Sequence, residues 1–128
     1  FACSIALSIV EALNTRDLSV WSQHLAEDYT AEHPGVSVPL NKTMTIGYNQ
    51  RFVTAFPDIH FDLEYIVIGP QGVCEEAIVT ATHEGRWLGH EPTGEHLEWR
   101  NAIFFPWDPE SRRFKGERVY TDMPRRTV

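Results

Sequence analysis

Positive charge is what this sequence has least of: eleven Lys and Arg stand against eighteen Asp and Glu in 128 residues, a formal net charge of -7. Such a surface repels phosphate backbones and anionic lipid, so neither nucleic acid nor membrane is an expected partner. The basic clusters, Arg112, Arg113 and Lys115 in one place and Arg125 with Arg126 in another, are too short to track a polyanion. Cysteine is equally sparse. Cys3 and Cys74 lie far apart, without the dense, even spacing of a secreted disulfide scaffold, which points to reduced thiols and a cytoplasmic location. No apolar run is long enough to cross a membrane. The apolar first thirteen residues are interrupted by Glu11 and show neither a basic start nor a small-residue cleavage site, so they read as an amphipathic helix rather than a secretory leader. Also missing are a glycine-rich phosphate loop, a G-x-S-x-G elbow and a His beside either Cys, which leaves nucleotide cofactors and Ser or Cys nucleophiles without support. The histidines show no tight ligand spacing, and HEPTGEH from His90 puts Gly94 where a zincin needs its second His, so no metal is expected.

What is present suits one small domain spanning residues 1–128. Hydrophobic residues make up 42% and aromatics 12%, enough for a real core. Ala2, Ile5, Ile9 and Leu13 recur at helical spacing and predict a first helix. Asp17 is a plausible N-cap for a second, carrying Leu18, Trp21 and Leu25 on one face. Tyr29 and the segment to Pro39 read as a short extended piece and a turn. A third helix is expected from about Thr43 or Thr45, with Tyr48, Phe52 and Phe56 on one side and a stop at Pro57.

After Pro57 the period changes from helical to two. Ile59, Phe61, Leu63, Tyr65 and Val67 alternate with His60, Asp62 and Glu64, and a turn follows at Gly69-Pro70. Ala77, Val79, Ala81 and His83 share one face of the next strand. Leu97, Trp99, Asn101, Ile103 and Phe105 share a face of a third, and a fourth runs from about Phe114 to Asp122. Helices first and an antiparallel meander after them predict an α+β fold.

Polar residues on apolar faces are the candidate site. His83 and Asn101 each fall among buried neighbours, where a polar group needs either a protein partner or a cavity holding a ligand. Asp122, at the end of the last strand, becomes a general base if it faces a pocket walled by Trp99, Phe52 and Phe56, because desolvation raises a carboxyl pKa toward neutrality. If it instead pairs with Arg118, Arg125 or Arg126, it is an ordinary surface carboxylate. His33 precedes Pro34 in a turn.

The runs FVTAFPDIHFDLEY from Phe52, ATHEGRWLGHEPTG from Ala81, ERVYTDM from Glu117 and DYTAEHPG from Asp28 resemble the SnoaL-like polyketide cyclases of the NTF2-like superfamily. The resemblance runs from about Val10 to Asp122. It implies a cone of three N-terminal helices packed on a curved, mostly antiparallel sheet around an apolar pocket, commonly dimeric through the outer sheet face. It further implies intramolecular aldol ring closure of a small apolar carbonyl compound, with no metal and no organic cofactor. Asp122 matches the family's acid/base position, and His83 and His33 match positions near its pocket. Asn101, Trp99, Tyr29, Tyr48, Phe52 and Phe56 are then the expected substrate contacts.

The same cone serves isomerases, dehydratases and epoxide hydrolases as well as non-catalytic binding proteins. An inward Asp–Arg–Asp set would mark epoxide opening. An outward Asp122, with Trp87, Trp99 and Trp107 filling the pocket, would mark a carrier of small molecules.

Overall fold

The computed structural model describes residues 11–12, 14–15 and 17–124. Its four meander strands are those that the alternation of apolar residues predicts. β2 (His60–Gly69), β3 (Gly72–Thr82), β4 (His96–Asp108) and β5 (Arg113–Thr121) pair in succession, each antiparallel to the last. Ahead of them in sequence, β1 (Leu25–Glu32) adds to β5 in parallel, so the curved sheet reads β1-β5-β4-β3-β2. Val73, Glu75, Ala77, Val79 and Ala81 of β3 and Leu97, Trp99, Asn101, Ile103 and Phe105 of β4 are all buried, and these positions form the inner face.

The helical part differs from expectation. Of the helix expected over Ala2–Leu13 only Glu11 and Ala12, both helical, are among the described residues. The second helix shrinks to one turn, α1 (Ser19–Ser22), capped as anticipated by Asp17, whose Oδ1 accepts the Ser19 N–H at 3.1 Å. Leu25 leaves that helix to open β1. Its helical spacing from Leu18 and Trp21 is overridden by a ladder with Phe114, a partner that no local pattern can reveal. Thus one long helix, α2 (Lys42–Ala55), covers the sheet among the described residues, where three helices were expected. Asn41 caps it by accepting the Met44 N–H at 2.9 Å. Its last turn is held to the exit of β3, because the Glu84 and Gly85 N–H groups both donate to the Ala55 carbonyl at 3.0 and 2.9 Å.

Two further contacts fix the frame. Asn14 grips the edge strand β2, its Oδ1 accepting the Phe61 N–H at 2.8 Å and its Nδ2 donating to the Phe61 carbonyl at 3.3 Å. On the outer face Arg100 donates to Glu64 at 2.5 Å and to Glu76 at 2.9 Å, which ties β4 to β3 and β2. A plug of Trp21, Leu25, Phe105 and Phe114 fills one end of the core, and the other end, beneath α2, stays partly open.

Gly116 permits the parallel addition of β1. A Cβ there would collide with the Thr30 carbonyl oxygen, which is backbone and cannot swing away. Gly116→Ala is expected to lower stability by about 1–3 kcal/mol, as overpacking does. Urea unfolding followed by far-UV circular dichroism checks this, and an unchanged midpoint would mean that β1 can step back without cost.

Candidate functional site

At the partly open end, α2, β4, β5 and the turn after β1 surround a cavity of about 50 Å³. Most of its wall is aromatic and aliphatic. Phe52, Phe61, Trp87 and Trp99 form one side, and Ile103, Val119 and Met123 another. The Trp87 ring stands 5.0 Å from that of Tyr48 and 5.1 Å from that of Phe52.

Its polar groups are few and come from separate elements. Glu117 is buried on the inner face of β5, sharing it with Val119 and Thr121. Ala31 of β1 pairs with Glu117, so Tyr29, two residues earlier on the same face, reaches the carboxylate and donates its O–H to Oε1 at 2.9 Å. Burial, then the charge of Glu117, pushes the Tyr29 phenol well above its ordinary pKa, which keeps it a donor. The turn closed by the Val36 N–H on the His33 carbonyl, with Gly35 at φ 77°, brings His33 back over the pocket. His33 Nε2 lies 3.5 Å from Glu117 Oε2, both side chains being almost completely buried. Nε2 makes no hydrogen bond at that distance. The His33 ring packs on Tyr48 at 4.1 Å between centroids. From β4, Asn101 completes the set with its Oδ1 enclosed and unpartnered.

His33, Asn101, Trp99, Tyr48 and Phe52 therefore line the cavity as the sequence led us to expect, and four other expected residues, Asp122, His83, Phe56 and Tyr29, do not. Asp122 is exposed, and its carboxylate accepts the backbone N–H of Arg100 at 2.5 Å. Thr121, opposite Asn101, takes the inward position, so the next residue turns away from the cavity. Of the three arginines of the surface reading, Arg118 faces Glu32 at 3.8 Å instead, and Arg125 and Arg126 lie outside the described residues. His83 is fully enclosed, stacked on Phe56 at 5.1 Å, with neither ring nitrogen partnered. Phe56 is itself covered by Phe52, Trp87 and Trp99, so it backs the wall rather than forming it. Tyr29 stands behind the wall as support for Glu117. Among the described residues no arginine lines the cavity. Among the described residues no group of three His, Cys, Asp or Glu could hold a metal ion, and no helix is long and apolar enough to cross a membrane.

Two acids escaped the sequence reading. Glu117 and Glu75 were passed over because a Glu in a strand is ordinarily on the wet face. Their phase was the available signal: Glu75 extends the face of Ala77 and Val79, and Glu117 extends that of Val119 and Thr121. Glu75 is 3% exposed. Burial first, and then the charge of Glu117, pushes its carboxyl up to about 8.

A carboxyl whose pKa is higher in the folded than in the unfolded chain binds protons more tightly when folded. Its contribution to stability is complete below the ordinary value of 4.5 and is lost as pH rises through about 8. Unfolding free energies at pH 5 and pH 9 should therefore fall more steeply for the native chain than for Glu75→Gln, by a few kcal/mol, on the order of 1.4 per pKa unit. Parallel profiles for the two proteins would show that Glu75 titrates normally.

The same architecture recurs in solved structures. AclR from Streptomyces galilaeus, a candidate hydroxylase, superposes with a TM-score of 0.80 at 22% identity over 95% of this chain and 79% of its own. IdmH from Streptomyces antibioticus, a candidate polyketide cyclase, gives 0.79 at 21% over 94% and 91%. A candidate SnoaL-like polyketide cyclase from Jannaschia sp. CCS1 gives 0.84 at 17% over 94% and 85%. At these identities the likeness establishes the fold. No curated protein matches in sequence. The family model of the SnoaL-like polyketide cyclases matches residues 4–119, and by that match across nearly its whole length the chain belongs to this family.

Proposed function

We propose that the protein is an acid/base enzyme acting without a cofactor on a small apolar carbonyl compound, with Glu117 and His33 as its proton-handling pair. The supporting observation is the 3.5 Å approach of His33 Nε2 to Glu117 Oε2 at the wall of an otherwise apolar cavity. The Glu117 carboxylate takes a proton from a carbon flanked by carbonyls, and the resulting enolate attacks a second carbonyl of the same molecule. His33, as the imidazolium, gives its proton to the new alkoxide. Proton transfer from Glu117 to His33 across their contact then restores both groups, so the net change is one C–H proton moved to oxygen as the C–C bond forms. Tyr48 and Asn101 hold the carbonyl oxygens, while Phe52, Trp87 and Trp99 fold the apolar chain. Asp122, turned outward, takes no part.

The outward placement of Asp122 equally favours a second reading, a carrier that only binds an apolar molecule. Against a filled pocket, Trp107 is absent from the lining and packs on Phe114 at 5.0 Å. The epoxide-opening alternative finds no arginine among the described lining residues.

Self-association belongs to the same proposal. Tyr65 and Val67 of β2 and Tyr120 of β5 are exposed on the outer face, each more than 60%. A second copy covering them buries this apolar surface, and the double substitution Tyr65→Asp, Val67→Asp is expected to convert a dimer into a monomer in sedimentation velocity. A native protein that sediments as a monomer contradicts it.

Ring closure of an apolar diketone, followed chromatographically, tests the chemistry. Glu117→Gln should lower kcat by about 10²–10⁴, the usual worth of a positioned proton carrier, and still quench Trp87 and Trp99 fluorescence on binding. Asp122→Asn should leave turnover unchanged. Quenching by the native protein with no closure of any diketone would favour the carrier.

A further inference from the structure

Two buried oxygens on the inner face lack any partner, Glu75 Oε1 and Asn101 Oδ1. They belong to neighbouring strands. Glu75 stands opposite Ile103 and Ala77 opposite Asn101, which makes Glu75 and Asn101 diagonal neighbours across the β3–β4 ladder, a separation that long side chains span. An amide oxygen and an ionised carboxylate are both acceptors only, and two enclosed acceptors side by side with no donor is a costly arrangement. We propose that Glu75 carries a proton which it donates to Asn101 Oδ1, locking the Asn101 amide with its NH₂ group toward the cavity.

The surroundings leave this proton little alternative. β2 presents Phe61, Leu63 and Ile66 on its less exposed face, and the inner face of β4 holds no charged residue. β5 contributes Glu117, whose Oε1 accepts from Tyr29 of β1, whose Oε2 lies 3.5 Å from His33 Nε2, and whose charge opposes ionisation of Glu75. α2 brings Tyr48, Asn49 and Phe52 to the cavity, while its Arg51 is exposed. The upward displacement of the Glu75 carboxyl agrees with this geometry. Glu75 is then a positioning residue acting through Asn101. Only the consequence rests on the reading above: with Oδ1 occupied, Asn101 offers N–H donors to a substrate carbonyl and to the alkoxide that forms from it. When Glu75 ionises, the anchor is lost and the donor with it.

Side-chain amide NMR on the ¹⁵N-labelled protein tests this without any substrate, the Asn101 signals being identified by their absence in Asn101→Asp. In the native protein the Asn101 NH₂ pair should move in a single step centred at about pH 8. In Glu75→Gln the step should vanish, the pair keeping its low-pH position because the glutamine NH₂ replaces the lost donor. In Glu75→Leu the step should also vanish, with the pair near the native high-pH position. A native Asn101 pair that stays flat from pH 6 to pH 10, or a step that survives in Glu75→Gln, overturns the proposal. The native titration decides even if a variant does not fold. A protein that shows the step yet closes no diketone keeps the Glu75–Asn101 link and loses the catalytic reading.

Discussion

A carboxylate enclosed in an apolar wall organises this molecule. Glu117 is 4% exposed, and an ion removed from water to that degree persists only where the protein supplies donors or counter-charge. One donor comes from Tyr29 and the facing imidazole from His33, both at the N-terminal side of the chain, and neither could reach β5 unless β1 lay against it. The parallel strand thus does more than extend the sheet. Gly116, the residue before Glu117, lets the β1 backbone come close enough for the phenol to arrive, so adjacent positions in β5 serve the approach and the charge that needs it.

The meander was legible because an antiparallel sheet with one dry face writes itself into the sequence at period two. β3 and β4 show it most clearly, and Asn101 was found by its phase among Leu97, Trp99, Ile103 and Phe105. β1 was not legible. Leu18, Trp21 and Leu25 do fit a helical stripe, and what draws Leu25 into a strand is Phe114, far along the chain. Helix α2 was read nearly to its ends from local signals, its stop from Pro57 and its start at about Thr43 or Thr45, just after the Asn41 cap that the structure shows.

The site was half legible for a related reason. Strand-end position and the family resemblance pointed to Asp122, and phase points to Glu117: Val119 and Thr121 are inward, so an acid one position beyond Thr121 faces out and an acid two before Val119 faces in. β5 is short and polar, and its register against β4 shifts between Phe104 and Trp107, where Pro106 has no N–H to offer, so its alternation was hard to anchor from sequence. His83 shows the converse. Its phase was read correctly and its side chain is inward, yet Phe56 stacks over it, and inward is not the same as facing the cavity.

Whether such a cavity serves chemistry or mere carriage turns on what its acids cost. A pocket that only held an apolar molecule would be more stable with aliphatic residues at 75 and 117, since burying a carboxyl without full compensation opposes folding. Two acids, an imidazole and an amide instead share one inner face, while the charges that would stabilise a sheet cheaply, Arg100, Glu64, Glu76 and Asp122, are all on the outer one. The division is economical in physical terms: water screens and solvates the outer network, whereas the inner groups keep the strong interactions that a low-dielectric site gives to a developing charge. A polar set retained on the dry side, against its own contribution to stability, argues for a ligand whose charge or hydrogen bonding changes while it is bound.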